Sequence, residues 1–419
     1  MFLIYNLLLT FLSPLWVPWM LLKARRRKER PIWAERFGNF DIPARGERHR
    51  IWVHTVSVGE FVAATPILRE IRKTLPNHEI LVSVTTSSGH QTAREAEAGL
   101  FDHLVYFPID VARFQLSAMQ KVRPDVVAIM ETELWMNFVW AAKTFGARTM
   151  LVNGRISDKH FPTSYKLRSF YKVLLKDVDL CLMQSELDVE RIKALGAGEA
   201  RVVGNCKFDQ AVQGLKLDSA DWKKELGLDL ERFTIVVGST RGEVEEKLVL
   251  AALGSVGFDR LNVIHAPRHL ERVEALSQLV REATGAVVLR SQGAAGPYMI
   301  LDTYGELGSV YSVADVVIVG GGFEDLGGQN VIQPLAHGKP VLHGPHMQNF
   351  RDSSAMADKA GAAKVCATSE ELTVAIKALM EDPASRKEMG CRAKKLVDDN
   401  IGASARYAKL IAEESGKAK

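Results

Sequence analysis

Short apolar runs alternate with helix-period segments along this chain, and the alternation occurs twice. IWVHTVS (51–57), ILVSVTT (80–86), VVAIME (126–131), TMLVNG (149–154) and LCLMQS (180–185) make the first set. After Asp209 the pattern restarts with TIVVGS (234–239), NVIHAP (262–267), AVVLRS (286–291), DVVIVGG (315–321) and PVLHG (340–344). Intervening stretches such as FVAATPILREIRKTL carry apolar residues at helical spacing. Strand–helix–strand repetition builds a parallel sheet covered by helices on both faces. The fold class is therefore α/β: two doubly wound parallel-sheet domains facing each other, expected over residues 23–209 and 233–383. The polar stretch 210–232 reads as a linker with a short helix. The helical segment 384–419 is expected to pack back on the first domain. A length of 419 residues, 47% hydrophobic and 25% charged, suits two folded domains and excludes disorder, collagen-like repeats and a disulfide miniprotein.

The first 22 residues, MFLIYNLLLTFLSPLWVPWMLL, contain no charged side chain. As one helix they would extend about 33 Å, against a hydrocarbon core of about 30 Å. Six basic residues and one acid follow between Lys23 and Arg30. A secretory signal has its positive charge before the apolar run, so this order argues for a membrane anchor over 1–22 whose basic flank stays cytoplasmic. Pro14 and Pro18 weaken a straight span, because each removes a helix hydrogen bond. The net charge of +4 comes largely from this block. The remainder is too neutral to wrap nucleic acid. Cys181, Cys206, Cys366 and Cys391 contain no CxxC pair and read as free thiols.

In doubly wound sheets ligands bind where strands end and loops enter helices, and the chemistry-bearing residues cluster there. Ser57-Val58-Gly59-Glu60 follows the first run; a small Gly turn before a helix admits an anion, although Glu60 also suits a first helical turn. Gly320, Gly321 and Gly322, followed by Gly327-Gly328-Gln329-Asn330, put five glycines in nine residues before a further helix. Such density implies close approach to a phosphate, without the spacing of a dinucleotide fingerprint or a Walker loop. His265 and His269 are four apart but separated by Pro267, which breaks the helix a metal pair needs; Arg268 between them suits a phosphate or carboxylate. His343 and His346 lie in a Pro turn and are not expected to hold metal. Asp177-Val178-Asp179 has the DxD form, yet an Asp also precedes the strands PDVVAIME and ADVVIVGG, so a polar strand entry is favoured over a metal site. Glu131 and Glu133, in METELW, read as solvated or paired carboxylates. Glu35 lies 13 residues past Leu22, close to where a lipid-borne substrate presents its head group. An ionised Glu there can accept a proton.

Together AERFG, SVGE, METELW, NGRIS, GNCKFD, GSTRGEVEE, APRHLER, DTYGELGSVYSVADVVIVGG, GGQN and GPHMQNFRD resemble, in order, the motifs of the Kdo (3-deoxy-D-manno-octulosonic acid) transferases, from the N-terminal anchor to about Asp352. The resemblance implies a GT-B glycosyltransferase: two Rossmann-like domains with an interdomain cleft. It implies inverting transfer of Kdo from CMP-Kdo to a lipid A precursor at the cytoplasmic face of the inner membrane, with no metal and no cofactor. Its partners would be that donor, that acceptor and membrane lipids. The catalytic base then falls on Glu35. Donor contacts fall on Arg268, Gly305, Glu306, Leu307, Gly320, Gly321, Gly322 and Asn330, and acceptor contacts on Ser57, Gly59 and Glu60. Lys207, Ser239 and Thr240 match positions beside donor phosphate or sugar.

The sequence departs from the family pattern at two places. Gln333 stands where a Glu is expected to hold the ribose hydroxyls, which keeps one acceptor oxygen and loses the charge. Met136 stands where Pro is usual after ELW. Two alternatives stay open beside the first reading: another GT-B enzyme using a different nucleotide sugar, and a weakened or non-catalytic membrane-bound relative.

Overall fold

A computed structural model describes residues 2–26, 32–213, 215, 219–293 and 295–417. It divides into two units, Met1–Gln210 with Gly402–Lys419, and Ala211–Ile401. The second half of the basic run, Arg27 to Arg30, and part of the linker, 214 and 216–218, lie outside the described residues.

The first unit is built on seven parallel strands: β1 (Arg50–Thr55), β2 (Glu79–Val84), β3 (His103–Tyr106), β4 (Val126–Met130), β5 (Arg148–Gly154), β6 (Leu180–Met183) and β7 (Ala200–Val202), in the order β3-β2-β1-β4-β5-β6-β7. The order reverses direction between β1 and β4, the switch point at which such sheets open a crevice. Every residue of β1, β2 and β4 is buried, as expected of strands covered on both faces. Side chains alternate along β1: Trp52 joins one apolar cluster with Val127 and Phe138, while Ile51 and Val53 join the other with Ile67 and Val82. The second cluster is completed from far along the chain, by Tyr407, Ala408 and Ile411 of the helix Ala403–Ser415.

The second unit repeats the plan with β8 (Phe233–Thr240), β9 (Leu261–Pro267), β10 (Val288–Leu289), β11 (Tyr298–Ile300), β12 (Val316–Val319), β13 (Val341–His343) and β14 (Ala363–Val365), ordered β10-β11-β9-β8-β12-β13-β14 and again all parallel. Its switch point lies between β8 and β12.

One device recurs at the strand entries. Asp125, immediately before β4, accepts the Arg50 N–H at 2.7 Å. Asp179, before β6, accepts the Thr149 N–H at 2.9 Å, and Asp315, before β12, the Thr234 N–H at 2.9 Å. Each carboxylate thus ties its own strand to the start of the neighbouring one. Asp179 is further held by Lys143 at 2.6 Å and Arg148 at 2.7 Å, which accounts for the second Asp of the DxD sequence as a sheet-edge fastening.

The N-terminus departs from the single straight helix that its length allows. It forms α1 (Phe2–Phe11) and α2 (Ser13–Arg26), bent by 66°, and among the described residues no single helix is long and apolar enough to cross a membrane. Pro14 supplies the reason: with no N–H it cannot close on the carbonyl of Thr10. That carbonyl accepts the Ser13 hydroxyl at 2.7 Å instead, and the Leu9 carbonyl accepts the Trp16 indole N–H at 2.8 Å. α1 is also fastened to the first unit. Tyr5 donates to Asp110 at 2.8 Å, Asn6 to Asn137 at 2.9 Å, and Phe2 packs on Trp140.

Candidate active site

Glu35 occupies a single helical turn, α3 (Trp33–Arg36), and backbone bonds fix its place. Its Oε2 accepts the Tyr106 N–H at 2.7 Å, and the Arg36 carbonyl accepts the Ile109 N–H at 2.9 Å, so the turn is strapped to the end of β3 and the loop beyond. The Arg36 guanidinium reaches the carbonyls of Phe107 and Thr85 and lies over the Tyr106 ring, whose plane stacks on His90 at 4.0 Å. Gly38 ends the turn because its φ is +78° and a Cβ there would meet the Phe114 carbonyl oxygen at 2.1 Å. Burial lifts the Glu35 pKa above the ordinary carboxylate value, opposed by the Tyr106 N–H and by Arg36 and Arg94. Oε1 has no partner among the described residues, so one carboxylate oxygen remains able to accept a proton. Of this frame the sequence had singled out Glu35 alone; Arg36, His90, Arg94 and Tyr106 went unnoticed, and only the adjacency of Arg36 in AERFG was a signal.

Ser57 and Glu60 form a capping box at the start of α4 (Val58–Thr74): the Ser57 hydroxyl accepts the Glu60 N–H, and Glu60 Oε2 accepts the Val56 N–H at 2.8 Å. A Cβ at Gly59 would meet only the Ser57 hydroxyl, at 3.9 Å, so protein packing does not demand glycine there. Burial, with the charges of Glu131 and Glu133 nearby, pushes the Glu60 pKa up to about 7. Glu133 is raised for the same two reasons. Lys207, from the other end of the unit, pairs with Glu131 at 3.2 Å. It opens the helix Lys207–Gln213 and belongs to the first unit, whereas Ser239 and Thr240 belong to the second. Glu131 and Asn153, at the ends of β4 and β5, hold φ of +55° and +54°. Asn adopts this region readily, so Glu131 is the less common case of the two. Three carboxylates and one ammonium suit the hydroxyls of a sugar and disfavour a phosphate.

On the second unit Arg268 follows β9, is exposed, and has no side-chain partner among the described residues; its N–H is bonded to the Thr240 carbonyl at 2.8 Å. Ser239 has φ +63°. The Thr240 hydroxyl is bonded to buried His265 at 2.9 Å, and that ring is kept neutral by burial. The glycine-rich loop is tight for internal reasons: a Cβ at Gly320 would lie 2.7 Å from Thr240 Cα, and one at Gly322 2.8 Å from Met347 Sδ. The N–H groups of Gly320 and Gly321 are already committed, to the Gly238 carbonyl and to Glu245 at 2.7 Å. The N–H of Gly322 is not engaged among the described residues. Gly305 takes φ +88° with open space around it. Glu306 pairs with Arg290 at 3.0 Å and bonds Thr303. Leu307 opens the next short helix, so that Gly308 faces Gln333: a Cβ there would meet the Gln333 amide at 3.4 Å. Asn330 accepts the Ile332 N–H at 2.9 Å. The helix it precedes, Ile332–Ala336, has five residues, too few for a strong dipole.

Residues 32–210 match the family described as 3-deoxy-D-manno-octulosonic-acid transferase (kdotransferase). The chain is 31% identical over 422 residues to the 3-deoxy-D-manno-octulosonic acid transferase of Bordetella pertussis, covering 96% of this chain and 97% of that protein. It is 30% identical to a bifunctional glycosyltransferase/methyltransferase of Fusobacterium nucleatum over 83% of this chain, and spans about half, 54%, of that relative's length. Among solved structures it resembles a glycosyltransferase from Rickettsia africae at 13% identity and a TM-score of 0.64, covering 89% of this chain and all of that one, a likeness of GT-B-like fold.

Proposed function

The chain belongs to the Kdo transferase family of glycosyltransferases, and from that premise we propose that it transfers Kdo from CMP-Kdo to a hydroxyl of a lipid A precursor, with inversion, at the cytoplasmic face of the inner membrane. The full-length identity to the Bordetella transferase carries this reading. Glu35 is the base. Its one unpartnered oxygen takes the proton of the attacking hydroxyl, while Oε2 stays fixed on the Tyr106 N–H. Sugar hydroxyls of the acceptor bind against Ser57, Gly59 and Glu60, where carboxylates can accept their hydrogen bonds. As CMP departs, the bond from the anomeric carbon to phosphate oxygen breaks and charge grows on the phosphate. Arg268 and the Gly322 N–H stabilise that charge, and the anomeric carbon passes through an oxocarbenium-like state. Gly305, Glu306 and Leu307, with Asn330 and Gln333, hold the nucleotide, and Ser239 and Thr240 line its phosphate side. Lys207, paired with Glu131, stands beside the same donor phosphate or sugar.

The reading requires no divalent metal: of the DxD pair, Asp179 is consumed by Lys143, Arg148 and the Thr149 N–H. The test is product formation from CMP-Kdo and a lipid A precursor, run beside a UDP-sugar and in EDTA. Transfer from CMP-Kdo alone, undiminished by EDTA, is expected. Transfer from the UDP-sugar in its place, or an activity lost in EDTA and restored by Mg²⁺, would overturn the assignment.

A further inference from the structure

An apolar pocket of about 600 Å³ lies within the first unit beneath the bent N-terminal pair. Leu9, Trp16 and Val17 of the pair line it together with Trp33, Phe37, Val111 and Phe114. Its polar lining is spent elsewhere. Asn6 bonds to Asn137 and to the Phe2 carbonyl, Thr10 to the Asn6 carbonyl, Ser13 to the Thr10 carbonyl, and the Trp16 indole to the Leu9 carbonyl. The lining that remains is mostly hydrocarbon.

One lining residue is different. Arg113 is exposed, lies 4.6 Å above the Phe114 ring, and has no counter-ion among the described residues. An apolar cavity beside an unpaired guanidinium is complementary to a chain that ends in an anionic group. The place of α3 narrows the choice of chain. Trp33 and Phe37, four apart with rings 6.1 Å from each other, share the pocket face of the turn, and Glu35 between them projects from the other side. The turn thus stands between the pocket and the carboxylate. A substrate with a tail in the pocket can reach round this turn with its polar head.

We propose that this pocket receives an acyl chain of the lipid acceptor, with Arg113 pairing an anionic group of the same molecule. The inference rests on the acceptor being the acylated one of the preceding section, and it adds the site that recognises the tail. Each methylene entering the pocket is expected to improve kcat/KM by about fourfold, the factor equivalent to burying one CH₂.

The test uses the full chain in detergent with acceptors of graded chain length, comparing wild type with Val17→Phe, Val111→Phe and Arg113→Ala. The two filled-pocket variants should collapse the ratio of kcat/KM between long-chain and short-chain acceptors. Arg113→Ala should raise KM for phosphorylated acceptors about tenfold or more. Brominated acyl chains on the acceptor should quench Trp16 and Trp33 in wild type and not in Val111→Phe, a readout that survives even if no transfer from CMP-Kdo occurs. Absence of transfer with quenching intact would sink the reaction assigned above and leave the pocket standing. An unaltered chain-length ratio in both filled variants would overturn the pocket. So would variants that lose binding to phosphatidylglycerol vesicles but keep that ratio, which would make a bilayer lipid the occupant.

Discussion

The proposed reaction divides the Glu35 carboxylate between two roles: Oε2 is pinned by the Tyr106 N–H, and Oε1, unpartnered among the described residues, is the oxygen assigned to the acceptor proton. Burial raises its pKa, so the carboxylate protonates at a higher pH than an unperturbed Glu does. Transfer needs the ionised form, and the rate should therefore fall on the acid side at a pH above about 4.5, the unperturbed value. Glu60, raised first by burial as well, gives a stability prediction. Its folded pKa is about 7 because of burial and the charges of Glu131 and Glu133. Between about 4.5 and 7 the folded chain holds a proton that the unfolded chain has released, so stability should decline as pH rises through that window. Glu60→Gln should flatten that decline, measured as urea midpoints across the range. At this scale the sequence was most legible where one motif makes one local structure. Ser57 to Glu60 reads as a turn into a helix with Glu60 in its first turn, which is what forms, whereas the Glu35 frame draws on Thr85, His90, Tyr106 and Phe107, brought together only by the sheet.

The bend between α1 and α2 shows how an element can be rerouted by a few groups. Two carbonyls freed by Pro14 and the turn are recaptured by Ser13 and Trp16. Replacing both, Ser13→Ala with Trp16→Phe, removes about 1 kcal/mol for each lost hydrogen bond. Amide exchange at Leu15 and Trp16 should then accelerate by roughly five- to thirtyfold, while exchange in β1 stays as it was. Prolines at 14 and 18 were visible in the sequence, but the partners that dock α1, Asp110 and Asn137, lie more than a hundred residues away. The long strands were legible because β-branched runs buried on both faces leave no ambiguity. β3, β7, β11 and β14 were not, since three or four residues such as HLVY or AKV fall below any apolar-run signal. They form as extensions of a sheet whose central strands are already paired.

On the scale of the whole molecule, the first unit is closed by the end of the chain. Asp209 accepts the Ser404 N–H and hydroxyl, each at 2.8 Å, Tyr407 donates to the Gly204 carbonyl at 2.7 Å, and Arg148 pairs with Glu414. Truncation after Ile401 strips Tyr407 and Ile411 from a core in which both are fully buried. The first unit should lose its cooperative thermal transition while the second keeps its own. Repetition of the strand–helix pattern made both sheets legible; the return of the C-terminal segment was expected from residue 384, whereas only Gly402–Lys419 joins the first unit and the residues up to Ile401 stay with the second. The central claim, that Glu35 deprotonates the acceptor hydroxyl, is tested most directly by turnover of CMP-Kdo with a lipid A precursor across pH, wild type against Glu35→Gln. The account predicts that Glu35→Gln is slower by about 10²–10⁴-fold and lacks the acid limb. A variant within tenfold of wild type, with the same limb, would contradict it.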